Sequence, residues 1–170
     1  MLYDNPGRGT ILFTPDVIVT LSRYRQGDSS SEEAGGYLIG EQFGNQLVVQ
    51  VATEPGEKNI RRRFFFKRNR NRGQKILDQL WKVSGGKMIL AGEWHSHPEP
   101  FPSPSSIDIK ETAKAFKKSI YPTGFMVVVI VSSVATASSW VGIQSASGLS
   151  RILRIGHQLW SDTPKSIPSC

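Results

Sequence analysis

The stretch Gly92–Asp108, GEWHSHPEPFPSPSSID, decides how this chain is read, because it sets His-x-His, four prolines and Ser-x-x-Asp within seventeen positions. Its left side continues a β-branched and apolar run, KMILAGEWHSH, which reads as a strand. Its right side opens SSIDIKETAKAFKKS, which reads as a helix with its acids early and its lysines late, as the macrodipole favours. Between them Pro98–Pro104 is an irregular loop at the end of a central strand, the place where sites are usually built. A strand, a stiffened loop and a returning helix make an α/β unit.

Working outward, GTILFT reads as a short strand and TPDVIVTLSRYRQ as a helix from Pro15 to about Gln26, with Thr14 as N-cap and Asp16 in the first turn. AGGYLIGEQ and NQLVVQVATEP form a hairpin about FGN, and NIRRRFFFKRN is a third strand. GQKILDQLWKVS carries Ile76, Leu77, Leu80, Trp81 and Val83 in an amphipathic stripe that Gly85 and Gly86 close. GFMVVVIVSS, SWVGIQSA and SRILRIG supply further strands. Hairpins flank an interleaved middle, so the expectation is a mixed, twisted β-sheet flanked by helices in a single domain, residues 1–160. Residues 161–170 are expected to be a disordered tail.

The chain has 170 residues, enough for one core without staples, and one cysteine, Cys170. A disulfide framework within the chain is excluded, which suits a reducing compartment. The start MLYDNPGRGTILFT lacks a basic leader followed by a long apolar run, and the longest apolar run, GFMVVVIVSSVA, is too short to span a bilayer. A soluble, cytoplasmic protein with no membrane partner is expected. The net charge of +7 is concentrated in RRRFFFKRNRNR, Arg61 to Arg72, with seven basic residues. His157 is expected at the surface, and Trp81, Trp140 and Trp160 in the core or an interface.

In a strand, residues two apart share a face, so His95 and His97 project side by side and can share one metal ion. Asp108, in the first turn of the following helix, is placed to be the third ligand. Two imidazoles and a carboxylate leave a fourth position for water, the open arrangement of a catalytic zinc. Amide hydrolysis also needs a base and an oxyanion donor. Ser105 offers the donor, although Ser-x-x-Asp is equally a helix capping box, and the two roles are compatible. The base is a glutamate: Glu93 shares the strand face with the histidines as ligand, base or neighbouring support, whereas Glu33, with Glu32 beside it, has to arrive through folding.

His95, His97, Ser105 and Asp108 follow the order His-x-His, seven residues, Ser, two residues, Asp. Upstream, Glu33, Gly36, Leu38 and Gly40 form Glu-x-x-Gly-x-Leu-x-Gly in EAGGYLIG. Together they resemble the signature of the JAMM (MPN+, JAB domain) zinc metalloproteases, over roughly Gly9 to Ile155. The resemblance implies Zn2+ held by His95, His97 and Asp108, Glu33 as general base, Ser105 as oxyanion stabiliser, and a mixed sheet flanked by helices. It also implies cleavage of isopeptide or peptide bonds that follow a ubiquitin-like C-terminus.

The segment GEWHSHPE is most similar to the stand-alone bacterial branch that includes the JAB deconjugases of type II CBASS antiphage operons. The implied partners are a ubiquitin-like protein or a conjugated cGAS-like nucleotidyltransferase, and an operon-encoded ubiquitin-activating/conjugating fusion enzyme. FFFKRNRNRGQKILDQLWKVSGG is also similar to that branch, apart from its strongly basic character.

Other readings remain beside this one. The same machinery acts elsewhere in the superfamily on phage tail or sulfur-carrier proteins. RRRFFFKRNRNR interleaves arginine with aromatics as nucleic-acid modules do, but three successive phenylalanines in a strand cannot share one face, which disfavours nucleic acid as the partner. Arg61, Arg62, Arg63 and Arg68 are candidates for contact with an acidic protein partner instead.

Overall fold

Two antiparallel strands, β1 (Leu2–Asn5) and β2 (Gly9–Phe13), begin the chain, and helix α1 (Pro15–Arg23) follows. The hairpin β3 (Gly35–Phe43) and β4 (Gln46–Ala52) comes next, then the short strands β5 (Ile60–Arg62) and β6 (Phe65–Lys67) and helix α2 (Arg70–Val83). Strand β7 (Ile89–Ser96), helix α3 (Ser106–Lys118) and strands β8 (Met126–Val131), β9 (Trp140–Ser145) and β10 (Gly148–Arg151) complete it. This is a computed structural model that describes residues 1–28, 30–56, 60–62, 65–67 and 70–155, with 60–62 and 65–67 given by their backbone.

Eight strands form one mixed sheet in the order β1-β2-β4-β3-β7-β8-β9-β10, as expected of an α/β fold. The β2–β4 and β7–β8 pairs are parallel, and the other pairs are antiparallel. The sheet curls until its two edges are joined by the chain that leaves β10. Asp4 N–H donates to Leu153 O at 2.9 Å, Ile155 N–H donates to Leu2 O at 2.9 Å, and Tyr3 bridges Arg154. That closure covers an otherwise open strand edge.

The curl separates two cores. Phe13, Leu38, Val49, Trp94, Val127 and Val129 fill one, sealed by Val17 and Leu21 of α1. Met126, Val128, Ile130 and Trp140 face the other, which Ala115 and Phe116 of α3 cover. Strand β8, MVVVIV, is buried at every residue because it serves both cores, and this explains its unbroken apolar sequence.

Several boundaries differ from the expectation. Strand β1 is unanticipated, because four residues that include Asp4 and Asn5 carry little strand propensity until they pair with β2. Helix α1 stops at Arg23, short of Gln26, and Thr14 occupies the N-cap position without bonding through its side chain. The ring of Tyr24 instead packs on Trp94 at 5.6 Å, and Gln26 turns inward.

The expected third strand is two short ones, β5 and β6, paired antiparallel in a separate ribbon with Arg61 opposite Phe66. The stripe on α2 is only partly covered: Trp81 is 56% and Val83 74% exposed, whereas Trp140 is buried as expected. The last expected strand begins earlier, at Gly148, and ends at Arg151. The readings of His157, Trp160, Cys170 and the tail 161–170 fall outside the described residues. Among the described residues no helix is long and apolar enough to cross a membrane.

Candidate active site

The site lies at the C-terminal ends of the parallel strands β7 and β8, where open α/β sheets usually bind their ligands. His95 is the last but one residue of β7, and His97 follows the strand while still donating its N–H to Val131 O at 3.1 Å. Alternation puts both imidazoles on one face, with ring centroids 4.9 Å apart. His95 is buried and His97 partly so.

Glu33 arrives by register. Gly35 pairs with His95 and Gly36 with Trp94 across the antiparallel β3–β7 ladder. One step beyond the ladder Ser96 N–H donates to Ala34 O at 2.8 Å, and the next step brings Glu33 level with His97. A Glu33 carboxylate oxygen and one nitrogen of each imidazole all lie within 4.8 Å of one another. Glu93, on the same strand face, and Glu32 are not members of that group, and Asp108, also outside it, meets the two rings from the helix side.

The glycines of the upstream motif have a steric reason. A Cβ on Gly36 would collide with Thr53 O and come within 2.7 Å of Trp94 Nε1, and one on Gly40 would collide with Val48 O. Only glycine lets β3 lie this close to its neighbours.

Asp108 is brought in by the start of α3. Ser105 is the N-cap: its Oγ accepts from Asp108 N–H at 3.1 Å, while Ser105 N–H donates to Asp108 Oδ2 at 2.7 Å. This capping box fixes both side chains at the helix entrance. The Asp108 carboxylate then faces both rings, with Oδ1 3.3 Å from His95 Nε2 and Oδ2 3.4 Å from His97 Nε2. Those separations exceed ordinary N–H···O bonds. Each ring nitrogen thus faces its own oxygen of one carboxylate, and two imidazoles beside a carboxylate are a donor set of the kind that holds zinc.

Burial opposes the charge of Asp108, but the contacts of both histidines, the charge of His95 and the contact of Ser105 outweigh it and hold the carboxyl well below its usual range. For His97 burial again opposes charge; contact with Asp108, then the charges of Asp108, Glu99 and Glu33, outweigh it and raise the pKa above 6.5. Glu99 is a site residue that the sequence reading missed. Its Oε2 lies 3.3 Å from His97 Nδ1, while the opposite ring nitrogen faces Asp108. A carboxylate on the far nitrogen orients a metal-facing imidazole and fixes its tautomer. Its signal was its place two residues after His97, inside the proline loop that Ser133 N–H holds through Glu99 O at 3.1 Å.

Arg61 and Arg62 lie in β5, and Arg63 and Arg68 fall outside the described residues. Arg72 is committed internally, with Nη1 donating to Glu54 O at 2.8 Å.

The family model described as prokaryotic homologs of the JAB domain matches residues 16–142, a span that contains Glu33, His95, His97, Ser105 and Asp108. The chain is 36% identical over 132 residues to a protein named CD-NTase/cGAS isopeptidase from Escherichia coli (strain TW11681), covering 78% of this chain and 80% of that protein. A protein of the same name from Vibrio cholerae serotype O1 (strain ATCC 39315 / El Tor Inaba N16961) is 39% identical over 92 residues, 54% of this chain and 59% of that protein. Another, from Pseudomonas aeruginosa (strain BWHPSA011 / Pa011), is 34% identical over 104 residues, 61% and 66% of the two chains. The solution structure of a Desulfitobacterium hafniense protein superposes with a TM-score of 0.55 over 83% of this chain and 88% of that one; at 19% identity this is a likeness of fold. The family match over most of the chain and the relatives of more than 30% identity lead to one conclusion: the chain belongs to the prokaryotic homologues of the JAB domain.

Proposed function

We propose that this protein is a zinc-dependent isopeptidase that releases a CD-NTase, a cGAS-like nucleotidyltransferase, from an amine to which its C-terminus is joined. The observation that carries the reading is the convergence of Glu33, His95, His97 and Asp108 at one strand end, in a chain similar to proteins named for that activity. His95, His97 and Asp108 would hold the zinc. Zinc at such a donor set supplies Lewis acidity, which brings the pKa of a water down to about 7.

The chain's own groups account for the remaining chemistry. Glu33, within 4.8 Å of the imidazole nitrogens, is near enough to take a proton from the attacking water and far enough to leave room for it. As the C–N bond breaks, the same carboxyl returns that proton to the leaving amine, and the acyl product's remaining proton then passes to the amine, so a carboxylate and an ammonium group result. The Ser105 oxygen accepts the helix N–H, and its hydroxyl proton is the donor for the oxyanion that forms on the substrate carbonyl. Glu99 keeps His97 turned toward Asp108.

The setting that fits is a cytoplasmic antiphage operon of the CBASS type, with the conjugate made by a ubiquitin-activating/conjugating fusion enzyme. A ubiquitin-like C-terminus is the related substrate class. A substrate trap tests this: the Glu33→Ala protein is expressed in the host, recovered under mild conditions, and the covalent conjugates bound to it are identified by mass spectrometry. A nucleotidyltransferase joined through its C-terminus to another protein is the expected catch. Recovery of a phage tail protein, a sulfur carrier or nucleic acid in its place would overturn the substrate assignment.

A further inference from the structure

Ser96, the residue between the two histidines, points away from them. It is fully buried at 0% exposure, and its side chain reaches the backbone that carries Glu33. In a regular antiparallel ladder Ala34 N–H would bond the Ser96 carbonyl; here it donates to Ser96 Oγ at 3.0 Å. The ladder thus ends on a side chain, which lets β3 part from β7 at the point where Glu33 must turn to the imidazole side.

The same hydroxyl donates to Gln26 Oε1 at 3.2 Å, and Gln26 Nε2 donates to Ser31 O at 3.2 Å. Gln26, only 2% exposed, lies three residues beyond the end of α1. Its side chain is too well enclosed to be a solvated loop residue, and a buried amide must be bonded to be tolerated. The segment from Ser31 to Ala34 lies outside any strand or helix, yet it is gripped at both ends by these two side chains.

We propose that Ser96 and Gln26 are positioning residues for Glu33, a two-residue relay that sets the base against the metal-ligating pair. The inference rests on the proposed function, since it needs Glu33 to act as a base. Donation runs in one direction, from Ala34 N–H to the Ser96 hydroxyl, from that hydroxyl to Gln26 Oε1 and from Gln26 Nε2 to Ser31 O, so each member holds one end of the same segment and losing either loosens it. The bonds of this relay run to Ala34 and Ser31 rather than to His95, His97 or Asp108, so metal binding should be largely spared.

The test compares Ser96→Ala, Gln26→Leu, the double variant and the conservative Ser96→Thr in the full-length zinc-loaded protein. Three properties are read: kcat and KM on an isopeptide-linked conjugate, zinc affinity by competition with a chromogenic chelator, and exchange of the Ala34 amide. Each single variant is expected to lower kcat by about tenfold or more with KM little changed, as the loss of a buried supporting partner does. Zinc affinity should stay within about twofold of wild type while Ala34 exchange accelerates, and the double variant should cost no more than the worse single one. Ser96→Thr should restore protection at Ala34 and most of kcat.

Wild-type kcat in both single variants, or a loss of zinc affinity equal to the loss of kcat, would overturn the relay. If Ser96→Ala does not fold, Gln26→Leu decides the question alone, because it removes the hold on Ser31 and the acceptor of the Ser96 hydroxyl while keeping the Ser96 side chain. A wild-type protein that cleaves no conjugate contradicts the proposed function. A wild-type protein that cleaves, with Glu33→Ala inactive and both relay variants unaffected, contradicts the relay alone.

Discussion

Gly35 stands directly opposite His95 across the antiparallel β3–β7 pair, and this register delivers Glu33 to His97. A slip of one residue would send the glutamate to the other face of the sheet, because side chains alternate along a strand. The site therefore depends on pairing between segments some sixty residues apart as much as on the histidines themselves.

Glu33→Gln is expected to keep the fold and the metal and to lower hydrolysis by about 10²-fold or more, the range for a positioned general base. Bound zinc is measured by elemental analysis and hydrolysis by release of the conjugate. Activity close to wild type would move the base to another residue, with Glu93 next in line.

Ser105 caps α3, and the proposed role as oxyanion donor is separable from that cap. Ser105→Ala should cost about 0.5–2 kcal/mol through loss of the N-cap, whereas Ser105→Gly should cost only a few tenths. Both should lose about 10²–10³-fold in kcat, since neither has an oxyanion donor. Denaturation midpoints and kcat on the same samples separate the two duties; a Ser105→Gly protein with full activity would confine Ser105 to the cap.

Metal affinity should fall in acid. Metal requires a neutral imidazole, and Asp108, Glu99 and Glu33 favour the protonated form of His97 in the metal-free protein, raising its pKa above 6.5 despite burial. Protons thus compete from above 6.5 downward. The same shift stabilises the metal-free fold fully below 6.5 and ceases to do so as pH rises through the raised value. The lowered pKa of Asp108 acts in the other direction: its contribution is present above 3.8 and is lost as pH falls. Zinc titrations at several pH values check this, and an affinity that does not weaken between neutral and mildly acid pH would contradict it.

Gly36→Ala should destabilise the protein by about 1–3 kcal/mol through overpacking, because the new methyl meets Thr53 O and Trp94 Nε1. The Trp94 Nε1–H bond to Thr53 O, 3.1 Å, is in its path. A denaturation midpoint unchanged from wild type would show that β3 shifts at no cost.

Much of this architecture was legible because the signals are local. The Ser105–Asp108 capping box, the alternation that puts His95 and His97 on one face and the doubly buried β8 all follow from short-range pattern. The choice of Glu33 over Glu32 and Glu93 was not legible from residue chemistry, since it is set by the β3–β7 register; the motif resemblance supplied that choice. Strand β1 was missed because its stability comes from its partners, and the end of α1 at Arg23 goes with bonds of Gln26 to Ser31 and Ser96 that a helical pattern does not show. Trp81 looked like core because a helical stripe does not state what covers it.

The most direct measurement is hydrolysis of a defined conjugate. A nucleotidyltransferase joined through its C-terminal carboxyl to a lysine side chain is incubated with zinc-loaded protein, with chelator-stripped protein and with stripped protein given zinc again, and the products are read by intact mass. The account predicts a gain of one water across the isopeptide bond, giving a free nucleotidyltransferase C-terminus and a free lysine, in the first and third samples and none in the second. An intact conjugate in all three, or equal cleavage in all three, would contradict it.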